Sequence, residues 1–438
     1  MRSVFQDIVE FATARIREEL DGEVSGSWDC DVFEDEVREC TRQLGQQSLK
    51  TWAERKREQA KEQAGLCSCG HRRQIHQQRP FWWVSTFGPI AIEVPELVCP
   101  QGHGRDRPFQ RLTGLHCRGK SKALQRVLTD FGAEKSFAQA SEQLWEHYGV
   151  EIGPSSIRQV VLKQARRSQA VVQARQTEAV AAYQKLGGQK YGEPWLIVES
   201  DGSMIRTGVL ETDPGGGLSA KGRGRKHRET LWREVRLSTV QGLKYERRWY
   251  GAVLGAPPMA GKQMFAMALL AGYGENTSVH GVGDGAPWIA QQMAEVFPRQ
   301  HYLLDYYHLL EHLNGAAKAC AEILGEAAEN WVMRQQTRID QGKVTAVIEE
   351  CRAVAKYKEA SALDQLANYL EHQREHLDYA AAREQGLPVG SGAVEGAHRH
   401  VVQARMKLPG TWWKEETVNP MLALRTLRAN GWWVSFWN

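Results

Sequence analysis

The chain has 438 residues, 56 Lys plus Arg against 52 Asp plus Glu, and a formal charge of +4. Its 42% hydrophobic and 25% charged residues exclude disorder over most of its length. It has no run of about 18 apolar residues, which excludes a membrane-spanning helix. Eight Cys are too few for a disulfide scaffold, and the charges through residues 1–20 exclude an apolar signal segment. The expectation is a multidomain cytoplasmic protein with no membrane partner.

The small net charge hides an uneven distribution. Residues 1–66 hold 10 Lys/Arg against 15 Asp/Glu, net −5. Residues 67–126 hold 10 Lys/Arg against Glu93, Glu96 and Asp106, net +7. Such a segment reads equally as a polyanion-binding surface or as a solvated basic face.

Residues 1–64 are rich in mixed charges, lack Pro and have few β-branched residues, so they read as a helical arm interrupted at residues 21–29. Residues 65–118 change character. Cys67-Ser-Cys69-Gly70 precedes two strand-like runs turning at Phe87-Gly88-Pro89, and Cys99-Pro-Gln-Gly-His103 follows. Two Cys-rich knuckles around a hairpin outline a zinc ribbon, with Cys67, Cys69, Cys99 and His103 as donors for a structural Zn²⁺. His71, His76 and Cys117 are alternative donors, and a hairpin that folds without metal is the plainer reading.

Residues 119–185 outline a helix-turn-helix. A helix over 136–148 breaks at Gly149-Val-Glu-Ile-Gly153-Pro154. A second helix capped by Ser155 or Ser156 carries Arg158, Lys163, Arg166 and Arg167, which suit phosphate contacts. Paired helices with short turns are also common in plain packing.

From residue 195 the pattern alternates in the order β β β α β α β. Asp201, Asp284 and Asp305 each follow an apolar strand-like run. Carboxylates at such strand ends face the crevice where open α/β sheets bind ligands, and a cluster of them suits Mg²⁺ or Mn²⁺. An isolated Asp-Gly pair would be turn chemistry. A Gly-rich loop between the first two strands carries Lys221, Arg223, Arg225, Lys226 and Arg228. Residues 306–389 read as helical. Gly390-Ser391-Gly392 then leads into a helix bearing Glu395, His398 and Arg399. Trp412 and Trp413 follow Pro409-Gly410 and suit stacking on an unpaired base, although packing accounts better for most of the 15 Trp.

Together Glu199-Ser-Asp201-Gly, Gly283-Asp284-Gly-Ala-Pro-Trp-Ile, Leu304-Asp305-Tyr-Tyr-His308, Gly390-Ser-Gly-Ala-Val-Glu395-Gly and the tail Gly431-Trp-Trp-Val-Ser-Phe436-Trp437 resemble Asp-Asp-Glu transposases. The chain is most similar to the ISKra family of insertion sequences, relatives of the Mutator-like superfamily, from about residue 65 onward. The resemblance implies a ribonuclease-H-like catalytic core over 190–305 and 390–438, interrupted by an all-helical insertion at 306–389. It implies two Mg²⁺ (or Mn²⁺) ions held by Asp201, Asp284 and Glu395. Asp305 and His308 match the family's D-x-x-H element. The expected partners are terminal inverted repeats and target DNA, bound by a homodimer or larger assembly at the bacterial nucleoid. A ribonuclease-H-like nuclease or resolvase, a transposase-derived DNA-binding regulator and, more distantly, a two-carboxylate glycosidase are the rival readings.

Overall fold

The structure is a computed structural model. It describes residues 30–62, 64–188, 191–212, 226–358 and 360–438, together with Gln6, Glu10, Thr13, Ala14 and Arg17. The chain forms two compact units, Met1–Val161 and Leu162–Asn438. The architecture is mixed helix and sheet. No described helix is long and apolar enough to cross a membrane.

The first unit is built on a hairpin. Strands β1 (Gln74–Ser85) and β2 (Gly88–Val98) are antiparallel, flanked by two-residue strands β3 (Arg105–Asp106) and β4 (Gly119–Lys120), in the order β3-β2-β1-β4. Alternation puts Phe81, Trp83, Ile90, Ile92 and Val94 on one face. The expected arm is a helix at Cys30–Glu62, and it buries Ala53 and Ala60 against that face with Phe109. The interruption expected at 21–29 lies outside the described residues.

Three helices follow, Lys122–Glu134, Phe137–Tyr148 and Pro154–Lys185. Ser121 caps the first by accepting from the Leu124 N–H, and Ser136 and Gln139 form a capping box on the second. The third starts at Pro154, one residue before the expected serine cap. It runs 32 residues.

The second unit holds a five-stranded sheet in the order β7-β6-β5-β8-β9. Strands β5 (Trp195–Thr212), β6 (Lys226–Gly242) and β7 (Arg248–Leu254) form an antiparallel meander. Strands β8 (Ser278–Gly283) and β9 (Gln300–Leu304) continue it in parallel with β5. The expected order β β β α β α β is present, with helices at Pro257–Leu270 and Pro287–Val296. One expectation needs correction: β5 does not end at Asp201 but runs on to Thr212, because its pairing with β6 continues throughout. Its pairing with β8 stops at Glu199, so on that side Asp201 does lie past the ladder.

The described residues from Tyr306 to Glu384 are mostly helical and have their own core, including Leu309, Leu313, Trp331, Val347, Leu363 and Tyr379. Ile197, Leu303 and Leu304 of the sheet join that core. The chain returns through a helix at Gly392–Ala397, which continues as π-helix over His398–Gln403. The helix Glu415–Ala429 then packs on β7. Asn419 pairs its side-chain amide with both backbone groups of Leu254, and Asn430 does the same for Tyr250. These two amides satisfy edge-strand groups that a further strand would otherwise claim.

Candidate functional site

The sheet register aligns the three aspartates. Glu199 pairs with Val282, so two residues on Asp201 comes level with Asp284; Gly283 pairs with Leu304, so Asp284 comes level with Asp305. Three aspartates are thus level with one another just past the last parallel pairs of β5 with β8 and of β8 with β9.

Their surroundings separate their roles. The Asp201 carboxyl is pushed up to about 6, first by burial and then by the Asp284 charge beside it, with a smaller contribution from Glu234. The Gly202 N–H donates to its Oδ1 at 2.6 Å. Asp284 is half-buried, and its Oδ1 accepts from the Ala286 N–H at 2.9 Å. Two carboxylates in mutual repulsion form a site that a divalent cation relieves.

Asp305 is different. It is buried, its Oδ1 accepts from the N–H groups of Tyr307 at 2.7 Å and His308 at 3.1 Å, and its Oδ2 accepts from the Ser391 N–H at 2.7 Å and from the Ser391 hydroxyl. Both oxygens are occupied. Asp305 caps the helix Tyr306–Ala319 and ties residue 391 to the sheet. The His308 ring nitrogens lie 3.6 Å from Glu311 and 3.3 Å from His312. Ser391 precedes the helix Gly392–Ala397, and its hydroxyl donates to Asp305 and makes no side-chain cap hydrogen bond to that helix.

Glu199 carries a role that sequence reasoning did not assign. It is buried, and its carboxylate accepts from the Val394 N–H at 2.9 Å at the start of the helix bearing Glu395. Burial raises its pKa against the pull of the Val394 and Ala393 N–H groups. Its position two residues before Asp201 on an apolar strand was the available signal.

On that helix His398 makes the direct contact with Asp201. Its Nε2 lies 3.2 Å from the Asp201 carbonyl and 3.4 Å from its carboxylate. Burial pushes His398 down to about 4, so it is neutral at pH 7. Glu395 lies one helical turn earlier, on the side shared by residues three apart. It is exposed and paired to Arg399.

The basic residues are not equivalent. Arg158, Lys163 and Arg166 are exposed on the helix Pro154–Lys185. Arg167 is taken up elsewhere: it donates to the Phe436 carbonyl at 2.8 Å and lies 4.3 Å over the Phe436 ring. Lys221, Arg223 and Arg225 lie outside the described residues, and Lys226 and Arg228 contribute backbone to β6. Trp412 is half-buried, whereas Trp413 is buried, pairs with β5 at Thr207 and donates to the Met406 carbonyl, which removes it from base stacking.

The second cluster is in the other unit. The ligand atoms of Cys67, Cys69, Cys99 and His103 all lie within 4.8 Å of one another. Cys69 Sγ is 3.4 Å from Cys99 Sγ, which is 3.7 Å from His103 Nδ1. A tetrahedral zinc with Zn–S bonds of ~2.3 Å spaces its sulfurs by roughly 3.8 Å, close to these separations. Gly70 (φ 83°) and Gly102 (φ 76°) let each knuckle turn back, their N–H groups donating to the Cys67 and Cys99 carbonyls. The Cys67 thiol is pushed down to about 6, first by the Cys69 N–H. Cys69 is raised: the His71 N–H pulls it down, but burial and the Cys99 and Cys67 sulfurs outweigh that. A thiolate that suppresses its neighbour's ionisation is relieved by a cation, so the group can hold a metal such as zinc. Of the alternative donors, His71 is 3.6 Å from Cys69 Sγ and Cys117 is exposed, and neither belongs to the four-ligand group.

Residues 268–435 match the model of an uncharacterised protein family, UPF0236. The match takes in β8, β9, the helical segment and Glu395, and leaves out Asp201. No curated protein matches the chain.

Proposed function

We propose that this protein is an Asp-Asp-Glu DNA transposase of the ISKra type, a relative of the Mutator-like enzymes. The alignment of Asp201 with Asp284 at the open end of the parallel strands carries the reading. The strand order β7-β6-β5-β8-β9, three antiparallel strands followed by two parallel ones, supports a ribonuclease-H-like core. The helical run between β9 and Glu395 is consistent with an insertion in that core. UPF0236 is commonly found in transposase-like insertion-sequence proteins, which agrees with the reading.

In this reading Asp201 and Asp284 bind divalent metal, with Glu395 as the third carboxylate after release from Arg399. Mg²⁺ or Mn²⁺ held by these carboxylates would supply activation of a water or a 3′-hydroxyl and charge compensation at the phosphate. Neutral His398 orients Asp201 through two contacts without adding a cation to the site. Glu199 and Asp305 hold the segment 391–395 against the strands, so they are positioning residues. The three helices of 122–185 serve as the helix-turn-helix region, and the Cys/His cluster holds a structural zinc. The partners are the element's terminal inverted repeats and target DNA, bound by at least a dimer because two ends must meet.

The test is Mg²⁺-dependent cleavage of DNA carrying the element's ends. Asp284→Asn should lower the cleavage rate by about 10²–10³-fold, the range seen when one preorganised electrostatic contribution is removed, while binding persists. Full cleavage by Asp284→Asn would sink the assignment. Joining of the freed 3′-hydroxyl to target DNA separates a transposase from a simple nuclease.

A further inference from the structure

A buried carboxylate in the hairpin unit gathers arginines that have no role in the carboxylate site. Glu96 on β2 is 1% exposed. Its oxygens lie 3.1 Å from Arg107 Nε, 3.3 Å from Arg105 Nη1 and 3.5 Å from Arg79 Nε, and accept from Gln77 Nε2 at 2.8 Å. The arginine side chains remain 52%, 57% and 45% exposed. Beside them Asp106 Oδ2 is 3.1 Å from both Arg73 and Arg111.

Five guanidiniums therefore meet two carboxylates, a net +3 (5 − 2) across β1, β2, β3 and the helix Pro108–Thr113. Stability alone does not call for this excess, since one arginine would satisfy one buried carboxylate. Each guanidinium has five N–H donors in a rigid fork, and the contacts to Glu96 use only part of them. The Gln77 amide, then Arg107, Arg79 and Arg105, hold the Glu96 carboxyl below the usual carboxylate range against the effect of burial. It stays ionised and keeps its hold on the arginines at neutral pH.

We propose that Arg79, Arg105 and Arg107, fixed by Glu96, form a preorganised phosphodiester-binding site that grips the backbone of duplex DNA. Fixing the three forks before binding removes the entropy of ordering them on the ligand. Their contacts go to phosphates, so the site contributes affinity and register without reading sequence. It deepens the DNA-binding side of the proposed function and rests on that reading.

The experiment follows binding of the full-length protein to a mixed-sequence duplex by fluorescence polarisation across a salt series. Replacing Arg79, Arg105 and Arg107 together by Gln should flatten the slope of log K against log salt by about 0.9 per arginine. Glu96→Gln is the sharper variant. It adds one positive charge, so a merely solvated basic face would bind DNA more tightly. A preorganised site binds more weakly, by at least about threefold, because the forks are no longer fixed. If Glu96→Gln fails to fold by circular dichroism, Arg105→Lys gives the same reading, since it keeps the charge and loses the fork; it too should weaken binding.

Equal or tighter binding by the folded Glu96→Gln variant, or by Arg105→Lys in its place, overturns the proposal. So does an unchanged salt slope in the triple variant. Tighter, arginine-dependent binding of single-stranded RNA than of duplex DNA overturns the choice of ligand. Arginine-dependent DNA binding without Mg²⁺-dependent cleavage would sink the strand-cleavage assignment and leave this site standing. Cleavage with arginine-independent binding would sink this site alone.

Discussion

Among the aspartates at the sheet's open end, neighbours decide which is free to act. Asp305 has four donors on two oxygens, whereas Asp201 and Asp284 each accept one described backbone N–H and repel each other. The same substitution should therefore act in opposite directions. Asp305→Asn exchanges one acceptor oxygen for a donor facing N–H or O–H groups, and should lower unfolding free energy by about 1–3 kcal/mol. Asp284→Asn removes a repulsion and should leave stability unchanged or raised. Urea denaturation of both variants decides the matter; a neutral Asp305→Asn would end its role as an anchor. The Cys/His cluster carries the second residue-scale prediction. The purified protein should contain about one zinc per chain, as a four-ligand structural site implies, and Cys67→Ser should lose it. Metal analysis that finds no zinc in carefully prepared wild type would refute the site.

At the scale of elements, two devices keep helices in register with what they serve. Asn419 and Asn430 hold one helix to the edge of β7. In the helical segment, Glu350 joins Ala328–Asp340 to Val344–Lys358 by accepting from Trp331 at 3.1 Å, Gln335 at 3.0 Å and Arg334 at 2.8 Å, with Arg338 as a further partner. Burial raises the Glu350 pKa, but Arg334 and Arg338 outweigh it and the net shift is downward from 4.5. A lowered carboxyl pKa contributes stability that is present above the unfolded value and lost as pH falls through the folded one. The segment should thus weaken in acid below about 4.5, the ordinary glutamate value. Glu350→Gln should forgo that contribution at neutral pH, about 1–3 kcal/mol, and flatten this part of the acid dependence. Denaturation midpoints at pH 7 and below 4.5 for both proteins measure this, and parallel acid profiles would refute it.

For the whole molecule, local pattern was legible in the sequence. The β β β α β α β order, the knuckle-hairpin-knuckle and the helical stretch after Asp305 were readable because strand alternation, helix composition and turn residues are properties of neighbours along the chain. The strand-end aspartates were readable for the same reason, although β5 continued past Asp201 because pairing with β6, a distant segment, sustained it. The sequence alone thus determined the kinds of elements, their order and the candidate ligands on them. Only the tertiary structure decided what those side chains were spent on. Asp305 became an anchor, Glu199 the holder of a helix, His398 the partner of Asp201, Arg167 a neighbour of Phe436, and Glu96 the centre of an arginine cluster. Each of these outcomes depends on a group far away in sequence, and charge, burial and hydrogen bonding are fixed by neighbours in space.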